Sequence, residues 1–305
     1  MTVYRELAAI DDVVEDEYRE YLASRKAKFE RSRELDFAYS RKNIKDLADV
    51  IADRVERQEP YCLIRLGDGE GGCLNETADQ FPNLHRVALV RTLSMHFGPQ
   101  PYSEEDLEFW HRSLSQAVAA ADLISCPKVS MCLKVAEETP HHLRGTVGVV
   151  AAGEYILDHQ AELKAELFAT WHVHRALLPY YERFARGRHV RLITCYDDQF
   201  GERLARKFAC DSVRLINIPG QAANDGRPVS PLYPDHMDRV LGELDEFAET
   251  GQVWFIAAGP AGKEFCQRAA ARGCVALDVG SMMDVWWGRG VRGYQGDDFV
   301  EEHKL

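Results

Sequence analysis

The chain has 305 residues, of which 46% are hydrophobic and 28% are charged. This composition is typical of a soluble globular protein, and the length fits one large α/β domain or two smaller ones. The formal net charge of -12 argues against a broad nucleic-acid-binding surface, because a phosphate backbone requires an excess of lysine and arginine. We therefore expect no nucleic-acid partner, and a phosphorylated ligand would be bound locally by a metal ion, a helix N-terminus or a few basic side chains.

The cellular compartment is predicted from the apolar segments and the thiols. No run of about 18 apolar residues occurs, and the amino-terminal residues do not show the basic-then-apolar pattern of a signal peptide. The eight cysteines are scattered without a C-x-x-C pair, which argues against a structural zinc site. Scattered thiols within apolar segments are typical of a reducing compartment, so we predict a cytoplasmic protein.

The first half of the chain begins with a highly charged segment. Its apolar residues recur loosely at helical spacing, which predicts an N-terminal helical extension on the surface over residues 1–38. Ser103 and Asp106 have the spacing of a capping box at the start of a helix. Hydrophobic periodicity then predicts helices at 44–55, 84–97, 104–121, 154–168 and 175–185, strands at 61–66, 122–127 and 147–151, and a loop over 128–135.

The second half of the chain alternates strand-like and helical segments. The pattern predicts strands at 190–195, 213–218, 253–258 and 274–279 and helices at 201–208, 234–249 and 262–272. Such alternation indicates βαβ units, so the expected fold is α/β with a Rossmann-like, mostly parallel sheet flanked by helices. We expect one continuous domain over residues 39–295, an irregular working loop or lid at 219–233, and a C-terminal tail over 296–305.

An acidic turn follows the first strand. The strand at 61–66 runs through Gly67 into Asp68, Gly69 and Glu70. Two carboxylates two residues apart on a turning backbone can point to one side, and two hard oxygen ligands suit a divalent cation that also holds substrate phosphates. The glycines permit the tight turn and are therefore predicted to be cofactor-binding residues. The alternative is an ordinary glycine turn with solvated acids.

A second glycine turn joins the strand at 253–258 to a helix. It contains Gly259, Gly262 and Lys263. A glycine turn at a helix N-terminus presents free N–H groups and a partial positive charge, and the lysine adds a full charge nearby, so we predict phosphate or nucleotide binding here. The spacing fits neither the dinucleotide fingerprint nor the P-loop. An ordinary strand-to-helix turn is the alternative.

Further polar residues follow other strands. Asp278 ends the last strand, Asp284 lies shortly beyond it, and Asp198 follows the strand at 190–195. Strand ends line the binding crevice of parallel sheets, so these aspartates are candidates for a general base or for a contact with a ribose or an acceptor. Helix capping is the alternative for Asp284 and Asp198. His172 and His174 would share one face of a strand, but no third metal ligand is evident, so histidines on a helix surface or in the core are the favoured alternative.

Taken together and in this order, these segments resemble the GT-D-type glycosyltransferases, bacterial enzymes that use a nucleotide-sugar donor and a metal-binding D-x-E motif. The likeness covers residues 40–295 and is carried by four stretches, at 65–70, at 218–222 leading to 233–234, at 258–263 and at 277–286. The resemblance implies that Asp68 and Glu70 hold Mn²⁺ or Mg²⁺ on the donor diphosphate. It also implies that the turn at 259–263 lies near the nucleotide or its phosphates, and that Arg65 assists the leaving diphosphate.

The chemistry of glycosyl transfer agrees with this assignment. Negative charge develops on the departing nucleoside diphosphate, and a cation stabilises it. An inverting reaction also needs a base that accepts the proton of the acceptor hydroxyl. The candidates are Asp284, Asp278, Asp198 and Asp225, and the sequence does not choose among them.

The sequence therefore predicts a metal-dependent hexosyltransferase. It would move a sugar from a nucleotide-sugar donor, with UDP as the expected nucleotide, to a glycan or lipid-linked acceptor in surface polysaccharide or glycoprotein assembly. A lipid-linked acceptor would require peripheral membrane contact, although the sequence shows no strongly basic amphipathic helix that would indicate it. Two alternatives remain open: a metal-dependent phosphohydrolase of nucleotides or sugar phosphates, and a non-catalytic nucleotide-sugar sensor.

Overall fold

The computed structural model describes residues 11–32, 43–74, 80–137, 143–168, 170, 172–222, 230–291 and 295–305. Within these ranges, seven strands form one sheet in the order β3-β2-β1-β7-β6-β4-β5, and every neighbouring pair is parallel. In chain order the strands are β1 Tyr61–Arg65, β2 Leu123–Ser125, β3 Glu166–Phe168, β4 His189–Thr194, β5 Ser212–Asn217, β6 Val253–Ile256 and β7 Val275–Asp278. The predicted parallel α/β sheet is confirmed.

Helices connect the strands and cover the sheet. In chain order they are α1 Asp11–Arg31, α2 Ile44–Arg57, α3 Asp68–Cys73, α4 Pro82–Phe97, α5 Glu104–Ala120, α6 Val129–Glu137, α7 Leu143–His159, α8 Val173–Ala176, α9 Tyr181–Ala185, α10 Asp198–Phe208, α11 Met237–Phe247, α12 Ala261–Ala271, α13 Met282–Trp287 and α14 Asp297–His303. A 3₁₀ turn, Leu178–Tyr180, precedes α9, and the segment Leu232–His236 leads into α11. No helix in the described ranges is both long enough and apolar enough to cross a bilayer.

The sheet has a hydrophobic core on each face. Along β1, Cys62 and Ile64 belong to one core and Tyr61 and Leu63 to the other, as expected when successive side chains point to opposite faces. The first core includes side chains of α1, α4, α5, α6, α7, α11 and α12, and the second includes those of α2, α8, α9, α10 and α13. Burial on both faces explains why the strands read as continuous apolar runs rather than alternating ones.

Several local predictions are confirmed by the structure. The Ser103 hydroxyl accepts a hydrogen bond from the Asp106 N–H, and the Asp106 carboxylate accepts one from the Ser103 N–H at 2.7 Å. This capping box begins α5 where the sequence predicts a helix start. In the second half of the chain, all four predicted strands and all three predicted helices are present, with ends shifted by a few residues.

Three predictions in the first half are wrong. The expected loop over 128–135 is largely helix α6, the expected strand at 147–151 is the middle of α7, and the helix expected over 154–168 ends at His159 before strand β3. Val147, Val149 and Val150 are all buried, so this part of α7 is apolar on several sides. A helix buried in this way gives the same continuous apolar run as a buried strand, and periodicity does not separate the two.

Helix α1 is more than a surface extension. Its inward side places Tyr18, Tyr21 and Phe29 in the first core. Arg25 is 7% exposed, donates from Nε to the Glu154 carboxylate on α7 at 2.9 Å, and lies 5.0 Å from the centre of the Tyr21 ring. The predicted surface position therefore holds only for the outward side of the helix. The expected C-terminal tail likewise includes a helix, α14.

Helix α3, which carries the acidic motif, lies unusually close to α7. A side chain on Gly71 would place its Cβ 1.7 Å from the Gly148 carbonyl oxygen, and a side chain on Gly148 would place its Cβ 1.7 Å from the Asp68 carbonyl oxygen. The two backbones can approach this closely only because both positions are glycine. The contact fixes the start of α3 against a helix of the core.

Gly148→Ala should therefore destabilise the protein by about 3 kcal/mol or more, because the new methyl group meets backbone that cannot move aside. The matched control is Gly242→Ala in α11, where the same methyl group meets no atom within 4 Å. Alanine is the better helix former there, so we expect a gain of roughly 0.5–1 kcal/mol. Urea unfolding of the two variants checks the prediction, and equal effects would contradict it.

Candidate functional site

A cavity of about 350 Å³ opens at the carboxyl edge of the sheet. It is lined by residues from the segments that follow β1, β4, β5, β6 and β7, together with the end of α4 and the residues around the start of α8. Strands β6 and β4 are neighbours in the sheet. From β4 the chain continues to β5 in one direction along the strand order, whereas from β6 it continues to β7 in the opposite direction. The cavity thus includes a topological switch point, which is where open parallel sheets bind ligands.

The acidic motif is the start of a helix rather than an open turn. Gly67 is the N-cap of α3, and Asp68 is its first residue. Two residues apart in a helix are roughly 200° apart around its axis, so the predicted shared direction of the Asp68 and Glu70 side chains does not follow from this backbone. Both residues nevertheless line the cavity, as do Gly67 and Gly69.

The Glu70 carboxylate is buried and held from two sides. It is 8% exposed, its Oε2 accepts from the Gly67 N–H at 3.0 Å, and its Oε1 accepts a short hydrogen bond from the Lys263 ammonium. Burial alone would raise the pKa of Glu70, but the Lys263 charge and hydrogen bond, aided by Arg65 and His96, lower it to about 2. Glu70 therefore remains ionised throughout the neutral range.

Lys263 lies below the cavity wall. It is 1% exposed, lies in the first turn of α12, and contacts Glu70, Asp278 Oδ2 at 3.0 Å and the Gly259 carbonyl at 3.1 Å. Burial opposes its charge, but the two carboxylates outweigh that effect and raise the pKa of Lys263. Its described contacts are thus with two carboxylates and one backbone carbonyl of the protein, and the residues that line the cavity include Gly259 but neither Lys263 nor Gly262.

Asp278 and Arg65 form the second half of this charge cluster. Asp278, 3% exposed at the end of β7, accepts from Arg65 Nη2 at 3.1 Å in addition to pairing with Lys263. Asp278 does not line the cavity, whereas Arg65 does. A carboxylate held between two cations acts as their counter-ion and is poorly placed to accept a substrate proton.

Arg65 is also bound by His174. Its Nη1 lies 3.1 Å from His174 Nδ1, and because arginine only donates, Nδ1 must be the acceptor and the His174 proton must lie on Nε2. Gly280 makes room for the guanidinium, since a Cβ there would lie 2.1 Å from Nη2. His172 is the N-cap of α8, and His174 lies in that helix and is 1% exposed, so they do not share one face of a strand, and the alternative of helix and core histidines is confirmed.

Another part of the cavity lining carries a tyrosine–aspartate pair. The Tyr196 hydroxyl donates to Asp284 Oδ1 at 2.7 Å, and the Tyr196 ring stacks on Trp287 with centroids 5.0 Å apart. Burial, together with the Asp284 charge, raises the pKa of Tyr196 above its usual range, so the hydroxyl stays protonated and donates. Both residues line the cavity.

The structure brings only some of the candidate aspartates to the site. Asp198 is exposed in the first turn of α10, whose N-cap is Asp197, and it does not line the cavity. Asp225 lies outside the described residues. Two cavity residues, His96 and Tyr196, are absent from the predicted set. Tyr196 follows a strand end, the same signal that points to Asp198, whereas His96 lies near the end of a helix and no sequence pattern marks it.

A metal ion at the acidic motif would need ligands from its substrate. Among the described residues, no three His, Cys, Asp or Glu side chains are grouped to hold a metal. Asp68 and Glu70 both line the cavity, and Glu70 stays ionised. One or two carboxylates combined with substrate phosphates and water is a usual arrangement for Mg²⁺, so these residues fit a cation that arrives with a diphosphate.

An open parallel sheet with a cavity at its carboxyl edge is the arrangement in which α/β proteins bind ligands. Residues 42–286 match the family of the GT-D fold-like domain, and the chain belongs to that family. The resemblance predicted from the sequence is therefore confirmed. Family membership supports a glycosyltransferase as the class of protein.

Two solved structures are similar to this chain. A selenomethionine-substituted structure of domain of unknown function 1792 has a TM-score of 0.46 and 13% identity, over 84% of this chain and 87% of that one. A second, described as the highly conserved domain of unknown function 1792 with a distinct glycosyltransferase fold, has a TM-score of 0.49 and 14% identity, over 88% and 98%. No curated protein sequence matches the chain.

Lys263→Met should destabilise the protein by about 3–5 kcal/mol, because it leaves two buried carboxylates with one cation fewer. The matched control is Lys304→Met, which removes an exposed pair with Glu301 and should cost at most about 1 kcal/mol. Urea unfolding measures both changes, and equal losses would contradict the prediction.

The unfolding free energy that Lys263→Met loses should also depend on pH. The pKa of Glu70 is lowered from 4.5 to about 2, so its stabilising contribution is complete above the unfolded value and disappears as the pH falls through about 2. Without Lys263 the buried carboxylate favours its protonated form instead. The difference in unfolding free energy between the variant and the wild type should therefore become smaller as the pH falls from 7 to about 3. A difference that grows as the pH falls would contradict the pairing of Glu70 with Lys263.

Proposed function

We propose that this chain is a metal-dependent glycosyltransferase that moves a sugar from a nucleoside-diphosphate donor to a hydroxyl group of a glycan or lipid-linked acceptor. A UDP-hexose is the first donor to test, and surface polysaccharide or glycoprotein assembly in the cytoplasm is the expected setting. The observation that carries the proposal is the cavity itself, which has Arg65, Asp68 and Glu70 on one wall and the Asp284–Tyr196 pair on another.

The leaving group would be stabilised at the first wall. Arg65 is held by Asp278 and His174 while its side chain remains 18% exposed, so its charge is already in place when the diphosphate departs. A fixed cation of this kind stabilises developing negative charge without reorganisation during the reaction. Asp68 and Glu70 would hold Mn²⁺ or Mg²⁺, which when bound supplies further stabilisation of the same charge.

The acceptor hydroxyl would be activated at the second wall. Of the three candidate aspartates that the structure describes, Asp198, Asp278 and Asp284, only Asp284 lines the cavity. In an inverting transfer, the acceptor oxygen bonds to the anomeric carbon, the bond from that carbon to the phosphate oxygen breaks, and the hydroxyl proton passes to Asp284. Tyr196 fixes the orientation of the carboxylate through its hydrogen bond.

Donor binding tests the role of Asp68. UDP at about 100 times its dissociation constant, in the presence of Mn²⁺, should raise the unfolding free energy of the wild type by roughly 2.7 kcal/mol, as measured by thermal unfolding. Asp68→Asn should remove most of the metal-dependent part, because a cation loses a charged ligand. The control Asp198→Asn changes an exposed carboxylate outside the cavity and should keep the full shift. An unchanged response in Asp68→Asn would refute metal binding at this motif.

Turnover tests the role of Asp284. With a panel of UDP-hexoses, Asp284→Asn should lower the rate of UDP release by roughly 10²–10⁴-fold while leaving donor affinity unchanged, as expected for loss of a general base. Release by the wild type should increase when glycan or lipid-linked acceptors are added. A phosphohydrolase would release nucleotide or phosphate at the same rate with and without an acceptor, and a sensor would bind UDP-hexose without turning it over.

A further inference from the structure

His96 occupies the junction between the two glycine motifs. It is the penultimate residue of α4 and lines the cavity, as do its neighbours Met95 and Phe97. A Cβ added to Gly259 would lie 2.4 Å from His96 Nδ1, and one added to Gly69 would lie 3.5 Å from His96 Nε2. The imidazole therefore lies between the acidic motif after β1 and the glycine turn after β6.

The glycine turn accommodates this imidazole. Gly259 has a φ of +56°, which a residue with a side chain rarely adopts. A Cβ at this position would also collide with the His96 ring. Any other residue at 259 would both strain the turn and displace His96. The sequence alone explains Gly259 as a phosphate-binding turn, whereas the structure adds that the turn leaves space for the ring.

The position of His96 is fixed from both ends of α4. At the start of the helix, the Glu17 carboxylate of α1 accepts from the Leu84 N–H at 2.8 Å. At the other end, Phe97 stacks on Trp110 with centroids 5.0 Å apart. Because these contacts hold the ends of α4, the backbone that carries His96 is already positioned before a ligand binds.

We propose that His96 is a binding residue for the diphosphate, and that an N–H of its ring donates a hydrogen bond to a phosphate oxygen held between the acidic motif and the glycine turn. The inference rests on the proposed function, because that function places the diphosphate at these two motifs. An imidazole carries at least one N–H whether neutral or protonated, so the contact does not require a particular charge state.

Two substitutions separate the hydrogen bond from packing. His96→Phe keeps a ring but removes the donor, and His96→Gln keeps a donor without the ring. Binding of inorganic pyrophosphate with Mg²⁺, measured by calorimetry, avoids any assumption about the nucleotide base. His96→Phe should bind roughly tenfold to a hundredfold more weakly than the wild type, as expected for loss of one hydrogen bond to a charged group, and His96→Gln should recover part of the loss.

The control is His189→Gln at the amino end of β4, on the opposite edge of the sheet from the cavity. It should bind pyrophosphate like the wild type. Unchanged affinity in a folded His96→Phe, or equal loss in His96→Phe and His96→Gln, would overturn the inference in favour of a packing role. If the wild type binds neither pyrophosphate nor UDP, the proposed function fails instead, so the two failures are distinguishable.

Discussion

The buried cluster of Glu70, Lys263, Asp278 and Arg65 holds the site together. Each carboxylate is paired with a cation, and the four side chains come from α3, α12, β7 and β1. Charges this deep are costly unless they are paired, and removal of one partner leaves the others uncompensated. The cluster therefore fixes the relative positions of the acidic motif, the glycine turn and the end of the sheet. The chemistry at the cavity surface depends on this layer beneath it.

Much of the fold could be predicted from the sequence, because strands buried on both faces alternate with amphipathic helices in the second half of the chain. The failure at α7 has a physical cause: a helix buried on several sides loses the periodicity by which helices are recognised. The site was predictable to the extent that it follows strand ends, which located Asp68 and Asp284 at the cavity, whereas Arg65 was predicted from the family resemblance alone. Local sequence does not encode whether a side chain in the first turn of a helix faces the cavity or the core. For that reason Lys263 was expected to contact phosphates, whereas it is buried beneath the cavity lining.

The packing of the N-terminal helix is a second feature that local sequence patterns do not predict. Its charged residues indicate a solvated surface, and on the outward side they form one. Yet Glu17 caps α4, and Arg25 pairs with Glu154 on α7, the helix against which the acidic motif packs. These contacts join residues far apart in sequence, so no short stretch of the sequence contains both partners. The helix lies outside the family match at 42–286 but contacts two of the elements that position the cavity.

The ammonium of Lys263 has a practical consequence. Because it already supplies a positive charge to Glu70 and Asp278, the folded chain does not rely on a bound ion to balance these acids. Chelator-treated protein should accordingly keep its architecture during purification and storage. Under the proposed function, loss or exchange of the divalent ion would therefore leave these four side chains in place.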